Sequence, residues 1–218
     1  MSATSVNEGV LQTYQSLYSQ HGDDPASLGV RATSQPVRFQ AVTAALGSQW
    51  PDTIVDLGCG FGDLLSHLRG VGWKGHYTGV DFMTEFVDIA RQRFEEDPAA
   101  DFLVGDATLI ELPPKSFDVC ISLGLCNHQR GAGTISFIEA LIGHAASLVR
   151  QSIFVDFLSA TSNRRRDDLY FMDAGKAIQI GLQHSNRVKL DHTYMPFEFL
   201  LTIRLDDQIQ PGLPFFSD

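Results

Sequence analysis

Ile54-Val55-Asp56-Leu57-Gly58-Cys59-Gly60-Phe61-Gly62-Asp63-Leu64-Leu65 is the stretch that decides the fold. A short β-branched run meets three glycines at alternate positions, and the chain resumes with Leu64, Leu65 and Leu68 at helical spacing. That order reads as strand, tight loop and helix, the first half of a βαβ unit. Glycines are needed where the backbone takes positive φ or where a ligand packs directly on it, and a helix N-terminus beside such a loop offers amide N–H groups to that ligand. An ordinary tight turn between strand and helix is the bland alternative. Position 63 narrows the choice of ligand. The dinucleotide fingerprint requires its third glycine three residues after the second, and Asp63 stands there instead.

The next elements alternate as an open α/β sheet requires. Tyr77-Thr78-Gly79-Val80-Asp81 is a second strand ending in an acid 19 residues beyond Gly62. An ionised carboxylate at a strand's carboxyl end accepts both hydrogen bonds of a ribose diol, although a lone Asp there also caps a following helix. Phe82 and Met83 follow, then a predicted helix over 85–94 and a third strand over 101–107 with Asp106 at its tip and Ala107 after it. In isolation such an Asp equally caps local turn amides. An apolar fourth strand over 117–124 continues into Leu125-Cys126-Asn127-His128 on the same edge of the sheet. Asn127 both donates and accepts, and His128 has an ordinary pKa suited to a general base, the alternative being a solvated loop histidine.

The predicted helix over 134–149 precedes a buried fifth strand over 152–158, which opens onto Arg164-Arg165-Arg166 and Tyr170. An arginine run is ordinarily a solvated face, but beyond a core strand it also suits a carboxylate or phosphate, and Tyr170 could set a hydroxyl or a ring beside a cation. A helix over 173–183 and an antiparallel hairpin over 187–194 and 198–205 finish the pattern, and the tail from Gln208 has no assigned role. Before the first strand, Val10, Leu11, Tyr14, Leu17 and Tyr18 recur at helical steps over 6–19. This stripe reads either as core packing or as a lid hinged through His21-Gly22, Pro25 and Gly29. Ser34-Gln35-Pro36 starts another helix, with Val37, Val42, Ala45 and Leu46 as its inner side. The expected division is a helical cap over 1–48 and a ligand-binding domain over 49–218.

With 218 residues, the chain fits one α/β domain. No apolar run reaches the roughly 18 to 20 residues of a membrane span, and no basic-then-apolar order marks a signal peptide, so a cytoplasmic protein without a membrane partner is expected. The net charge of −10 opposes a nucleic-acid partner. Cys59, Cys120 and Cys126 form no metal-ligand spacing and read as buried free thiols, with no metal expected.

The D-x-G-x-G-x-G pattern from Asp56 to Gly62 resembles motif I of the class I S-adenosylmethionine-dependent methyltransferases. That resemblance implies a Rossmann-like fold, a mostly parallel seven-stranded sheet with an antiparallel final strand, and a small N-terminal lid. It implies S-adenosylmethionine as cosubstrate, held by Asp56, Gly58, Cys59, Gly60 and Gly62 at its methionine part, by Asp81 at its ribose, and by Phe82, Met83, Asp106 and Ala107 around its adenine. The N/D-P-P-Y motif of the amine-methylating DNA and protein enzymes is absent after the fourth strand, which leaves Asn127, His128, Tyr14, Tyr18 and Tyr170 as candidates for the chemistry. More narrowly, residues 164–171 and 194–199 resemble small enzymes of bacterial natural-product clusters and, among them, azetidine-2-carboxylate synthases. The resemblance therefore implies methyl transfer to a small polar metabolite. The alternatives are cyclisation of S-adenosylmethionine itself, with release of methylthioadenosine, and cofactor binding without turnover.

Overall fold

The computed structural model describes residues 3–29, 33–47 and 50–206. Strands β1 (Thr53–Leu57), β2 (His76–Asp81), β3 (Ala100–Val104), β4 (Phe117–Ser122), β5 (Val149–Leu158), β6 (Arg187–Met195) and β7 (Glu198–Arg204) form one sheet in the order β3-β2-β1-β4-β5-β7-β6. β1 pairs in parallel with β2 and β4, while β7 runs antiparallel to both β5 and β6. The strand order reverses direction between β1 and β4, and in open α/β sheets the crevice at that reversal, beyond the carboxyl ends, is where ligands bind.

Alternation along each strand divides the core between the two faces. Val55, Leu57, Cys120, Ile153 and Phe199 pack on one face with Ile138, Leu141 and Ile142 of α5 (Thr134–Leu148) and Ala177 and Ile180 of α6 (Ala174–Leu182). On the other face Ile54, Tyr77, Ile121, Phe154 and Leu200 pack with Leu64, Leu65 and Leu68 of α3 (Asp63–Gly70) and Val87 and Ala90 of α4 (Thr84–Arg93). Helix α2 (Gln35–Leu46) adds Phe39 and Val42 to that second face. Val42, Ala45 and Leu46 of the expected inner row pack there, while Arg38 and Phe39 are buried in place of Val37, Arg38 having carboxylates to meet inside. Within the stretch 1–48 expected as a cap, α2 thus belongs to the core. It is α1 (Ala3–His21) that lies outside, with Leu11, Tyr14 and Tyr18 against Phe61, Met83 and Phe86.

The third strand stops at Val104, earlier than its apolar run suggests. Asp106 turns the chain there. Its Oδ1 accepts from Thr108 N–H at 2.8 Å and from the Thr108 hydroxyl at 2.6 Å, the arrangement of an Asx turn. Among the described residues no helix is long and apolar enough to cross a membrane. The tail from Gln208 lies outside the described residues.

Candidate active site

The loop after β1 is built by tight approaches. Gly60 and Gly62 have φ of +53° and +77°; a Cβ on Gly60 would stand 2.9 Å from Leu28 Cδ2, and one on Gly62 2.8 Å from Phe94 Cε2. The sequence leads one to expect amide donors aimed at a ligand, but four of these amides are committed internally. Gly58 and Cys59 N–H donate to the Val80 carbonyl at 2.8 and 3.1 Å, Gly60 N–H to Asp81 Oδ2 at 3.0 Å, and Gly62 N–H to the Cys59 carbonyl at 3.0 Å. The loop is held to β2 by its own donors, so the side-chain oxygens around it are left for the ligand.

These oxygens belong to Asp56, Asp63 and Asp81, which line one side of a cavity of about 150 Å³ together with Gly58, Cys59 and Gly60. Asp56 Oδ2 accepts from the Tyr77 hydroxyl at 2.5 Å. Burial pushes the Asp56 carboxyl up to about 7, against the Tyr77 hydrogen bond and with the help of the Asp81 charge. Asp81 Oδ1 accepts from Met83 N–H at 2.9 Å, and burial pushes its carboxyl up to about 6. Two lone pairs per oxygen leave each carboxylate able to accept further hydrogen bonds from a diol or an ammonium.

Tyr14, Asn127, His128 and Arg38 line the same cavity. Residues 127–130 are stitched to their neighbours by backbone bonds: Tyr170 N–H donates to the Asn127 carbonyl at 3.0 Å, and Gln129 N–H to the Asp168 carbonyl at 3.0 Å. Leu158 N–H donates to Asn127 Oδ1 at 3.0 Å, fixing that amide against the end of β5. Tyr14 Oη and His128 Nε2 lie 2.7 Å apart, joining α1 to the β4 tip. Burial, and then the positive charge of Arg130, push the His128 imidazole down to about 4. His128 is accordingly neutral at physiological pH and a weaker base than its ordinary value suggests, while burial raises the Tyr14 hydroxyl so that it stays protonated.

Arg38 donates from Nε to Glu198 Oε2 at 2.7 Å and from Nη2 to Glu198 Oε1 at 2.6 Å, and its Nε lies 3.3 Å from Asp156 Oδ2. Asp156 Oδ1 in turn accepts from Gly124 N–H at 2.6 Å, tying the β4 tip to this buried cluster. A second, smaller cavity of about 60 Å³ adjoins the first, with Phe82 and Leu125 lining both. Asp106, Ala107 and Arg130 face it.

The structure thus brings Asp56, Gly58, Cys59, Gly60, Asp81, Phe82, Asp106, Ala107, Tyr14, Asn127 and His128 onto two adjoining cavities. Four expected site residues line neither. Gly62 turns its open side to Phe94 and Phe102, so it shapes the loop without touching the cavity. The Met83 side chain is sealed between Phe61 and Phe86 at 1% exposure. Tyr18 sets its ring edge-on to Phe86 and is a packing residue. Tyr170 packs its ring on the α5 and α6 side of the core, and only its backbone serves the site, through Asn127. The arginine run is exposed; Arg166 pairs with Asp168, and Arg165 donates to the Ala160 carbonyl. Sequence reasoning passed over Arg38 and Arg130. A basic residue inside an apolar helical stripe is the signal that could have marked Arg38; Arg130, in a loop, gives none.

With this geometry in place, likeness to known proteins is informative. Residues 54–146 match the family described as a methyltransferase domain. Rv1506c of Mycobacterium tuberculosis, which is named as a methyltransferase, is 32% identical over 160 residues, covering 71% of this chain and 93% of its own length. The chain belongs to the class I S-adenosylmethionine-dependent methyltransferases. A 2-phytyl-1,4-naphtoquinone methyltransferase of Thermosynechococcus vestitus is 42% identical over 77 residues, about a third of either chain. Among solved folds, the N-methyltransferase NodS of Bradyrhizobium japonicum superposes with a TM-score of 0.66 at 17% identity, over 88% of this chain and 97% of that one. Magnesium protoporphyrin IX methyltransferase of Synechocystis superposes with a TM-score of 0.62 at 20% identity, over 92% and 96%.

The methyltransferase's cosubstrate, S-adenosylmethionine, carries an ammonium, a sulfonium and a ribose diol, which favour acceptors or anions, and a carboxylate, which favours donors. A cavity lined by three carboxylates, with loop donors already committed, fits the first three of these groups.

Proposed function

We propose that the enzyme transfers the methyl group of S-adenosylmethionine to a small, polar, amino-acid-like metabolite. The observation that carries this reading is that Asp56, Gly60 and Asp81 line the same cavity as Asn127 and the hydrogen-bonded Tyr14–His128 pair. The cosubstrate supplies a methyl carbon bonded to a cationic sulfur. The chain's own task is to hold a nucleophile in line behind that carbon and to exclude water, so that the new bond forms as the C–S pair returns to sulfur. Asp56 and Asp63 are assigned to the methionine arm, Asp81 to the ribose, and Phe82, Asp106 and Ala107 to the base. Tyr14, held by His128, is assigned to orienting the acceptor. Neutral His128 is assigned to holding the Tyr14 hydroxyl, and the proton that the acceptor releases after transfer passes to solvent.

A cavity this small, lined by Tyr14 of α1 and by Gln35, Arg38 and Phe39 of α2, supports a compact acceptor, as does the lack of any inserted acceptor domain between β4 and β5. The negative charge of the chain supports a partner other than nucleic acid. The resemblance of residues 164–171 and 194–199 to natural-product-cluster enzymes supports a place in bacterial secondary metabolism, with α1 and the segment that follows it acting as the lid of a cytoplasmic enzyme. The test is incubation of purified protein with S-adenosylmethionine, alone and with a panel of amino acids and amines, followed by mass spectrometry. S-adenosylhomocysteine formed only when an acceptor is added is the expected result. Methylthioadenosine formed from S-adenosylmethionine alone would overturn it in favour of cyclisation, and tight binding without turnover would overturn it in favour of a sensor.

A further inference from the structure

Arg130 stands between the β4 tip and α5, 7% exposed, and it lines the smaller cavity. Its guanidinium lies 3.8 Å from the centre of the Phe137 ring, and its Nε and Nη1 are buried with no hydrogen-bond partner. Its backbone is fixed by the bond from its N–H to the Thr134 hydroxyl at 2.8 Å. A ring beneath the guanidinium offsets part of its desolvation, but burying cationic N–H donors with no acceptor is costly, and such a group is stable where a ligand completes it.

The rest of the cavity says which ligand. Val10, Phe82, Ala107, Leu125 and Phe137 make its walls apolar, and Asp106 is the one acid on it. Apolar walls, one carboxylate acceptor and one guanidinium donor suit a planar heterocycle that presents a donor and an acceptor. A small anion would leave the apolar walls uncovered. Adenine has that pattern, since its exocyclic amine donates and the ring nitrogens on either side of it accept. The cavity also adjoins Asp81 through Phe82, where the base attached to a ribose held by Asp81 would fall.

We infer that Arg130 reads the adenine of the cofactor, its guanidinium donating to a ring nitrogen while Asp106 accepts from the 6-amino group. The assignment rests on the cofactor placement proposed above. It makes Arg130 a specificity-determining residue that selects a 6-aminopurine. Arg130 takes no part in the transfer step.

The test uses calorimetry on the full chain, wild type, R130M and R130Q, with S-adenosylhomocysteine and its 1-deaza, 3-deaza and 7-deaza analogues. Wild type should bind one analogue about 10- to 100-fold more weakly than S-adenosylhomocysteine, the range of a hydrogen bond to a charged group. R130M should bind S-adenosylhomocysteine weaker by a similar factor and bind that same analogue no worse than S-adenosylhomocysteine. R130Q, which keeps one amide donor, should recover part of the discrimination. Equal binding of all four ligands by the wild type would overturn the assignment, as would an R130M variant that weakens every ligand by one factor with discrimination intact. Should neither variant fold, a crystal structure of the wild type with S-adenosylhomocysteine decides: a guanidinium N–H within hydrogen-bond reach of a ring nitrogen supports the inference, and one beyond about 3.5 Å from all of them overturns it. Failure of the wild type to bind S-adenosylhomocysteine at all would instead overturn the cofactor placement, a result distinct from equal binding.

Discussion

The two ends of the site hold two arginines of equal burial, each 7% exposed, with opposite surroundings. Arg38 meets Glu198 through two hydrogen bonds and has Asp156 beside it, whereas Arg130 has Phe137 beneath it and buried nitrogens without partners. The first charge is neutralised by the fold itself, and the second is left for something that arrives later. Burial alone therefore does not tell a structural arginine from a ligand-reading one; the ledger of partners does. The contrast is broken most directly by deletion. Arg38→Met leaves Glu198 and Asp156 buried without their cation, and the expected loss is about 3–5 kcal/mol in urea unfolding. Arg130→Met removes an unpartnered donor set, and the expected change in the ligand-free protein is under about 1 kcal/mol. Equal destabilisation by the two variants would erase the distinction.

A second contrast separates the carboxylate side of the cavity from the Tyr14 side. Asp81 holds Gly60 N–H and Met83 N–H and faces the cavity, so Asp81→Asn turns an acceptor into a donor against one of those amides. Calorimetry should register a loss of about 30- to 1000-fold in S-adenosylhomocysteine affinity, or roughly 2–4 kcal/mol. Wild-type affinity in that variant would discard Asp81 as the ribose acceptor. Tyr14 touches His128, not the carboxylates. For Tyr14→Phe, kcat should fall about tenfold while affinity for S-adenosylhomocysteine holds within about twofold, the signature of an orienting hydroxyl felt in the transfer step. Tyr18→Phe is the internal control, since its ring packs on Phe86 and both constants should stay put.

What could be read from the sequence divides along the same line. β1, its glycine loop, α3 and the acid ending β2 are contiguous, so the fold and the carboxylate lining of the cavity were legible from Asp56, Gly58, Gly60 and Asp81. The other side is made of long-range meetings. Tyr14 and His128 are 114 residues apart, and Arg38 and Glu198 are 160 apart; no local periodicity encodes either pair. Tyr14 and Tyr18 sit on one helical stripe and both set their rings edge-on to Phe86, so only the tertiary position of His128 separates the tyrosine on the cavity from the one that packs. The Met83 side chain lines neither cavity for a related reason. Its backbone N–H serves Asp81, and that placement turns its side chain into the aromatic cluster under α1.

The dependence on pH tests the electrostatics of the carboxylate side. Burial raises Asp56 to about 7 and Asp81 to about 6, so in the empty folded chain both take up protons at a pH where the unfolded chain has released them. Between about pH 4 and 7 these two groups make stability fall as pH rises, because the native state binds more protons than the unfolded one. His128, lowered to about 4, works the other way and subtracts stability as pH falls from about 6.5 toward 4. Ligand binding selects the ionised carboxylates. A diol and an ammonium both need acceptors, so binding must expel whatever protons Asp56 and Asp81 still hold. Affinity for S-adenosylhomocysteine should therefore rise about 20-fold from pH 6 to pH 8, about tenfold of it from Asp56 and about twofold from Asp81, with protons released to the buffer in calorimetry near pH 6.5. Asp81→Asn should reduce that rise to the Asp56 share. Affinity that instead falls with pH would mean the ligand favours the protonated acids, and that these two carboxyls are donors to it.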